Sequence, residues 1–344
     1  VSETSIENND TSAKLSFQQK VQAWWKGYDP VEYAQYLKSK HEEHREELEA
    51  MELSQPLPEK SLPESEQSSD YLDFLDDSAQ GEEIWSLERI ETGQLIWGSG
   101  YHEPNCLSAM TEAIDMLALN DKQHILHLGC GLGEFDRNLA TDIGLKITSL
   151  DLCKSLVDSH LAATMMEGLD SQITIKQWNS DSDNALPGNF DHAIVEGYLY
   201  SQDNKIHILE QLHSSLTANG MVLALGPCVR DKTVIGDQDY VAWAHERGDF
   251  PQLISCEDLE TLFTDTGFKV NYHRNISNFY KTLIHTAWLG IKDVMHQIKE
   301  DPQKAPFLPM IISAGEFWAR TTRMLDDGKL SMQLYVLSRT DRTD

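Results

Sequence analysis

Three glycines at alternate positions, Gly129, Gly131 and Gly133, follow the apolar residues Ile125, Leu126 and Leu128. Where a strand gives way to a helix, residues without side chains let the backbone approach a ligand closely. The free N–H groups of the helix's first turn then face whatever lies above the strand end. Eighteen residues after Gly133, the β-branched run LKITSLDL closes on Asp151, the place where a doubly wound sheet carries the carboxylate that holds two ribose hydroxyls. A further acid, Glu196, ends the run FDHAIVE. At a strand end it is placed to take a proton from a bound substrate, with Tyr198 and His102 as the next candidate bases.

Those residues work only on a parallel sheet, and the chain has the elements for one. QHILHL and LKITSLDL are the first two strands, with a helix between them starting at Glu134. ITIKQWNSDSD is a third, ending in polar residues, and NFDHAIVEGYLY a fourth. HILEQLHSSLTANG predicts a helix stopped by Asn-Gly, followed by a fifth strand over 221–225. The long connection over 227–253 contains DYVAWAHERGDF, read as a helix over the mouth of the site. SCEDLETLFTDTGFKV reads as a capped helix with glycine at its end, leading to a sixth strand through Val270, Tyr272 and His273. The seventh, SMQLYVLSR, begins only at Ser331, after about fifty residues of helical pattern. Ahead of the glycine strand, EEIWSLERIETGQLIWGSGYH leads into a helix expected over 105–119.

The order of glycine loop, acidic strand end and FD-led strand resembles class I S-adenosylmethionine-dependent methyltransferases, and the W-G-S-G-Y-H turn with late inserted helices resembles their phosphoethanolamine, sterol and cyclopropane-fatty-acid branch. The resemblance implies an α/β, Rossmann-like seven-stranded methyltransferase sheet with a helical lid between strands six and seven and an N-terminal helical extension. It implies S-adenosylmethionine as cofactor. Gly129, Gly131 and Gly133 would cradle it, Asp151 and Leu152 would meet its ribose, and Asp181 and Ser182 would lie near its adenine. By the same likeness Trp97, Gly98, Gly100 and Tyr101 cover the sulfonium and His102 sits near the reacting methyl, while Glu196 either removes a proton or bonds the cofactor. The family's first motif usually has Asp or Glu two residues before the first glycine, where this chain has His127. A neutral imidazole there accepts from the cofactor's ammonium and a cation repels it, so affinity is expected to fall below about pH 6. No metal is called for, since methyl transfer from a sulfonium is mostly alignment and exclusion of water.

Among 344 residues, 56 acids against 28 bases give a formal charge of −28. Such a body repels nucleic acid and anionic membranes and draws in cations, which points to a small molecule, an amine or else an apolar lipid or isoprenoid, as substrate. The lid's Phe279, Tyr280, Trp288, Phe317 and Trp318 suit either an amine held by cation–π attraction or a greasy chain, and they also serve simply to pack the lid. Arg320 and Arg323, one helical turn apart, suit an anionic group or an exposed face.

The chain divides into a polar tail (1–13), a helical region (14–53) with Trp24 and Trp25, a Pro/Ser/Glu-rich linker (54–70) and the methyltransferase domain (71–344), with lid helices over about 228–253 and 278–328. The Trp pair reads equally as core packing or as a face for a protein partner or self-association. Five scattered cysteines, a polar beginning and no apolar run long enough for a membrane span suggest a cytoplasmic protein. The competing reading is a methyltransferase-like scaffold without catalysis, motivated by His127. A methyltransferase for protein or nucleic acid is a third, opposed by the charge and the size of the lid.

Overall fold

The computed structural model describes residues 85–180, 185–186, 188–247 and 253–340. The expected tail, helical region and linker, and also Asp181 and Ser182, lie outside the described residues.

Seven strands form one sheet in the order β3-β2-β1-β4-β5-β7-β6. The strands are β1 (His124–Leu128), β2 (Lys146–Asp151), β3 (Ile173–Gln177), β4 (Phe190–Glu196), β5 (Leu216–Val229), β6 (Phe268–Asn275) and β7 (Leu330–Arg339). β1 runs parallel to β2 on one side and to β4 on the other, with Leu126 beside Thr148 and Ala193. β7 alone is antiparallel to its neighbours, β5 and β6. The chain winds outward from β1 to β3 and then returns to start again at β4. The crevice between β1 and β4 is therefore the switch point, where loops diverge and leave space at the carboxyl ends of the strands.

The strands are short apolar runs because both faces are covered. Ile125, Leu126 and Leu128 of β1, Ala193 and Ile194 of β4 and Val222 and Leu223 of β5 have no exposed surface. Before β1 come α1 (Leu87–Trp97) and α2 (Leu107–Leu117). Ser86 caps α1, its hydroxyl accepting from the Arg89 amide. The connections hold α3 (Glu134–Ile143), α4 (Lys154–Met166), the single turn α5 (Tyr198–Ser201) and α6 (Lys205–Ser215). β5 is longer than expected. Asn219 and Gly220 do not stop the preceding helix, which ends at Ser215; they fall in an irregular stretch where the register with β4 shifts between Phe190 and His192. β5 also runs through Pro227, which a strand tolerates there because the last β4 partner is Glu196, paired with Leu225.

Two insertions build the lid. The first follows β5 and contains α7 (Gln238–Arg247). α8 (Cys256–Asp265), capped by Ser255 as the sequence predicts, then leads to β6. Between β6 and β7 stand α9 (Ser277–Leu289), α10 (Ile291–Glu300) and α11 (Leu308–Asp326). Their aromatic side chains mostly hold the lid together: Trp97 meets Trp318 edge-on with ring centres 4.8 Å apart, and Trp243 stacks with Phe317 at 6.1 Å. Arg320 and Arg323 face acids of this chain. Both pair with Asp239 of α7, at 3.4 and 2.9 Å, and Arg320 also with Glu246 at 3.0 Å. Among the described residues no helix is long and apolar enough to cross a membrane.

The buried Trp243 Nε1–H donates to Thr321 Oγ1 at 3.0 Å, and that hydroxyl donates to the Phe317 carbonyl at 2.9 Å. Thr321→Val keeps the shape and strands the indole N–H, so it should lower unfolding free energy by about 1–3 kcal/mol in urea denaturation. An unchanged midpoint would show that this bond does not join α7 to α11.

Candidate active site

Above the carboxyl ends of β1, β2 and β4, and under α7, α9 and α11, lies a cavity of ≈ 210 Å³. Its floor is the turn after β1, and its walls include Asp151, Leu152 and Glu196. The helix α3 starts here because Gly133 takes a left-handed conformation as its N-cap.

Gly129, Gly131 and Gly133 all have positive φ, at 80°, 53° and 72°. They are glycines for different reasons. A Cβ on Gly129 would stand 1.9 Å from the Glu196 carbonyl, and one on Gly133 would stand 2.0 Å from the His160 ring of α4. Neighbouring protein therefore demands two of the three positions that the sequence reading gave to a ligand. At Gly131 the atom in the way is Cε1 of His102, at 2.5 Å, the end of a side chain that can swing away.

The turn is tied to β2 through Asp151. Its carboxylate accepts from the Gly131 amide and the Cys153 amide, both at 2.9 Å. Burial pushes its carboxyl above the ordinary value, against those two amides and the nearby His102 and His127. Each carboxylate oxygen has two lone pairs, so Asp151 keeps acceptor capacity toward the cavity. His102 lies against Trp85, edge-on with ring centres 4.6 Å apart, and burial holds its imidazole below the usual value, hence neutral. Ligand pockets generally start near ~300 Å³. The His102 ring rests on Gly131 and fills part of this cavity, and a nucleoside sugar at Asp151 would require that ring to move. With that one movement the residues fit a nucleoside: a side-chain-free position at Gly131, a strand-end carboxylate, and an open wall at Leu152.

The W-G-S-G-Y-H turn is divided. Gly100, Tyr101 and His102 line the cavity, whereas Trp97 packs on Trp318 and, like Gly98, does not reach it. Gly100 is needed because a Cβ would stand 2.6 Å from Glu134 Oε2. Tyr198 lines the cavity, but its hydroxyl bonds the Trp178 carbonyl and the Ser180 amide, both at 3.2 Å. Its oxygen is thus turned into the fold. Glu196 keeps 36% of its side chain open, toward the cavity, and burial there raises its carboxyl above the usual range, with His127 opposing.

His127 departs most from its expected behaviour. It is 1% exposed, and its Nδ1 lies 2.6 Å from Oδ1 of Asp136, whose Oδ2 accepts from Ser149 Oγ at 2.6 Å. Burial works against the imidazolium, but the Asp136 charge and bond, helped by Glu196 and Asp151, outweigh it, and the His127 pKa is raised. The acid expected at position 127 is supplied one layer below, from α3. Its sequence signal is faint: Asp136 stands between Phe135 and Leu139 on the buried face of that helix. Cys130, Asp136 and His160 bring ligating atoms within 4.8 Å of one another, but both oxygens of Asp136 are already committed at 2.6 Å. His160 is held down to about 4 by burial and is neutral. Sequence reasoning also missed Glu103 and Arg247, which pair at 3.3 Å on the cavity wall, and Trp243, over whose ring Arg247 lies at 5.9 Å. Nothing in their local pattern marks them.

The raised His127 contributes stability below the ordinary imidazole value, and this is lost as pH rises through its folded pKa. The depressed Asp136 contributes above the ordinary carboxylate value, lost as pH falls through its own. The pair therefore supports the fold between those two limits. In an NMR titration the His127 ring should titrate above the ordinary value of about 6.5 and move down in Asp136→Asn, where only Glu196 and Asp151 still oppose burial. An unmoved titration would contradict the pairing.

A family profile described as a methyltransferase domain matches residues 104–273. A phosphoethanolamine N-methyltransferase of Plasmodium falciparum is 22% identical over 248 residues, covering 72% of this chain and 88% of that protein. The solved structure of Haemonchus contortus phosphoethanolamine N-methyltransferase 2 with phosphomonomethylethanolamine and S-adenosylhomocysteine superposes with a TM-score of 0.65 at 16% identity, over 78% of this chain and 60% of that one. The chain thus spans about three fifths of the Haemonchus enzyme's length. A cyclopropane synthase of Mycobacterium tuberculosis superposes with a TM-score of 0.59 at 12% identity, over 76% of this chain and 97% of that one. With the profile laid across the glycine loop and the strand order that opens a cavity above it, residues 104–273 of this chain carry a methyltransferase domain on a sheet of the class I order.

Proposed function

We propose that this protein binds S-adenosylmethionine at Gly131 and Asp151 and transfers its methyl group to a small amine-bearing molecule held under the lid. The observation that carries this reading is a single cavity lined both by Gly131 and Asp151 and by the aromatic side chains Trp243, Tyr280, Phe317 and Trp318 with the carboxylate Glu103. When bound, the cofactor supplies an electrophilic methyl on a positively charged sulfur.

The chain's own contribution is attraction, alignment and exclusion of water. Aromatic faces and carboxylates favour a cation over an apolar chain. Arg247 is the one arginine or lysine among the described residues lining the cavity, and it leans on Glu103 at 3.3 Å, so any anionic group on the substrate meets a cation already engaged. The likeness to phosphoethanolamine methyltransferases supports an amine substrate, and the single engaged cation favours one with at most one anionic group. Glu103 accepts the proton released when the amine is methylated. Glu196, beside His127, belongs to the cofactor's side of the cavity.

Five cysteines without a disulfide support a reducing compartment such as the cytoplasm. Closure of α7 against α11 through Arg320, Arg323 and Trp243 keeps bulk water from the site.

Incubating the protein with isotopically methyl-labelled S-adenosylmethionine and a panel of small amines and lipid acceptors should give a labelled amine in the mass spectrum. Glu103→Gln should raise the amine's KM about tenfold or more, with cofactor affinity retained. Saturable cofactor binding with no label reaching any acceptor would favour the scaffold reading.

A further inference from the structure

Cys228 and Cys256 take no part in the site above, yet the fold brings them together. Cys228, one residue before the end of β5, is in register with Ser331 of β7, and residues opposed across an antiparallel pair point to the same face. Cys256 opens α8, and the entry to that helix is tied to β5. The Val229 amide donates to the Ile254 carbonyl at 3.1 Å, and Val229 forms a bridge with Ser255. The Cys256 sulfur therefore lies 3.9 Å from Ser331 Oγ, on the face that carries Cys228, and the two thiols hydrogen-bond to each other.

Their surroundings differ. Cys228 has no exposed surface, whereas Cys256 is half-buried and lines a second, open cavity with Arg230, Lys232 and Ser331. Cys256 is also the first residue of its helix, where unpaired backbone amides favour a thiolate. The bond from Cys228, followed by those from Ser331 and Tyr335 and the charge of His273, holds the Cys256 thiol below its usual value against partial burial. The same contact, burial and the acid Glu260 push the Cys228 thiol up, and Lys205 of α6 is the cation that opposes them. One thiol is thus reachable and activated, and the other is sheltered behind it, as in a pair made of an attacking and a resolving cysteine.

We propose that Cys256 and Cys228 form a peroxide-responsive dithiol behind the wall of the first cavity, which both Ser331 and Pro227, the residue before Cys228, help to line. The oxidant is hydrogen peroxide, entering by the second cavity. The Cys256 thiolate attacks one peroxide oxygen, the O–O bond breaks, and a sulfenic acid forms as hydroxide leaves and takes up a proton. The Cys228 sulfur then attacks the Cys256 sulfur, its proton leaves with the sulfenic hydroxyl as water, and a disulfide closes. The two sulfurs together lose two electrons, which the peroxide gains, and a reducing dithiol reverses the change. In a reducing compartment such a bond is transient, which suits a sensor rather than a structural link.

Full-length protein treated with hydrogen peroxide, blocked with N-ethylmaleimide and digested without reductant tests this by mass spectrometry. The peptides of Cys228 and Cys256 should appear joined, with the loss of one hydrogen from each thiol, and dithiothreitol should release them. In Cys228→Ser the sulfenic acid has no thiol to condense with, so dimedone should label Cys256; in Cys256→Ser, Cys228 should take no label. Wild-type protein whose Cys256 stays open to N-ethylmaleimide at peroxide levels that oxidise Cys153 overturns the proposal with no variant needed. So does Cys256 oxidised without joining Cys228, or joined to any other thiol, and so does dimedone on Cys228 in Cys256→Ser.

Discussion

Two hydrogen bonds fasten the turn after β1 to the end of β2: the Gly129 amide to the Leu150 carbonyl at 2.8 Å, and the Gly131 amide to the Asp151 carboxylate at 2.9 Å. Together they fix the distance between a side-chain-free stretch of backbone and a strand-end acid, the two features a nucleoside needs. The sheet keeps these strand ends adjacent because β1 pairs in parallel with β2 and β4. The lid closes over the same place because both of its insertions leave from the carboxyl edge of the sheet. The cavity is thus a consequence of topology, and its chemistry a consequence of which residues end three neighbouring strands.

Beneath that turn lies an unusual layer of buried polar groups. His127, Asp136, Ser149 and His160 together occupy space that an apolar core would fill, and Gly133 is glycine to admit the His160 ring. The Asp136–His127 bond is the compensation that makes a buried charge tolerable, since breaking one member of such a pair leaves the other exposed to the full desolvation cost. It also reverses the expected polarity of the first motif. Where a lone acid would present a negative wall, this chain presents an imidazole backed by the acid, with Glu196 beside it.

Most of the fold was legible in the sequence. The apolar runs at strand length, the glycine turn, Asp151 and the late seventh strand are local patterns with local causes, and the sheet follows from them. The cavity was legible where residues sit at strand ends or turns, as with Asp151, Glu196, Gly131 and Tyr101. It was not legible where a role depends on what stands opposite. Trp97 faces Trp318 across the lid rather than the cavity, Tyr198 spends its hydroxyl on Trp178 and Ser180, and Arg320 and Arg323 face acids of α7. Asp136 drew no reading because its partner His127 is nine residues earlier and meets it only once β1 and α3 have packed. The reason behind Gly129 and Gly133 was hidden for the same cause, since only the folded chain reveals the Glu196 carbonyl and the His160 ring beside them.

The central claim is that the notch at Gly131 and Asp151 is a nucleoside site over which His102 rests. A crystal structure of the protein with S-adenosylhomocysteine tests it most directly. The account predicts the ribose hydroxyls on the Asp151 carboxylate, the His102 ring displaced from Gly131, and the lid closed above. Density for His102 still seated on Gly131 under saturating ligand, with the nucleoside elsewhere or absent, would contradict it.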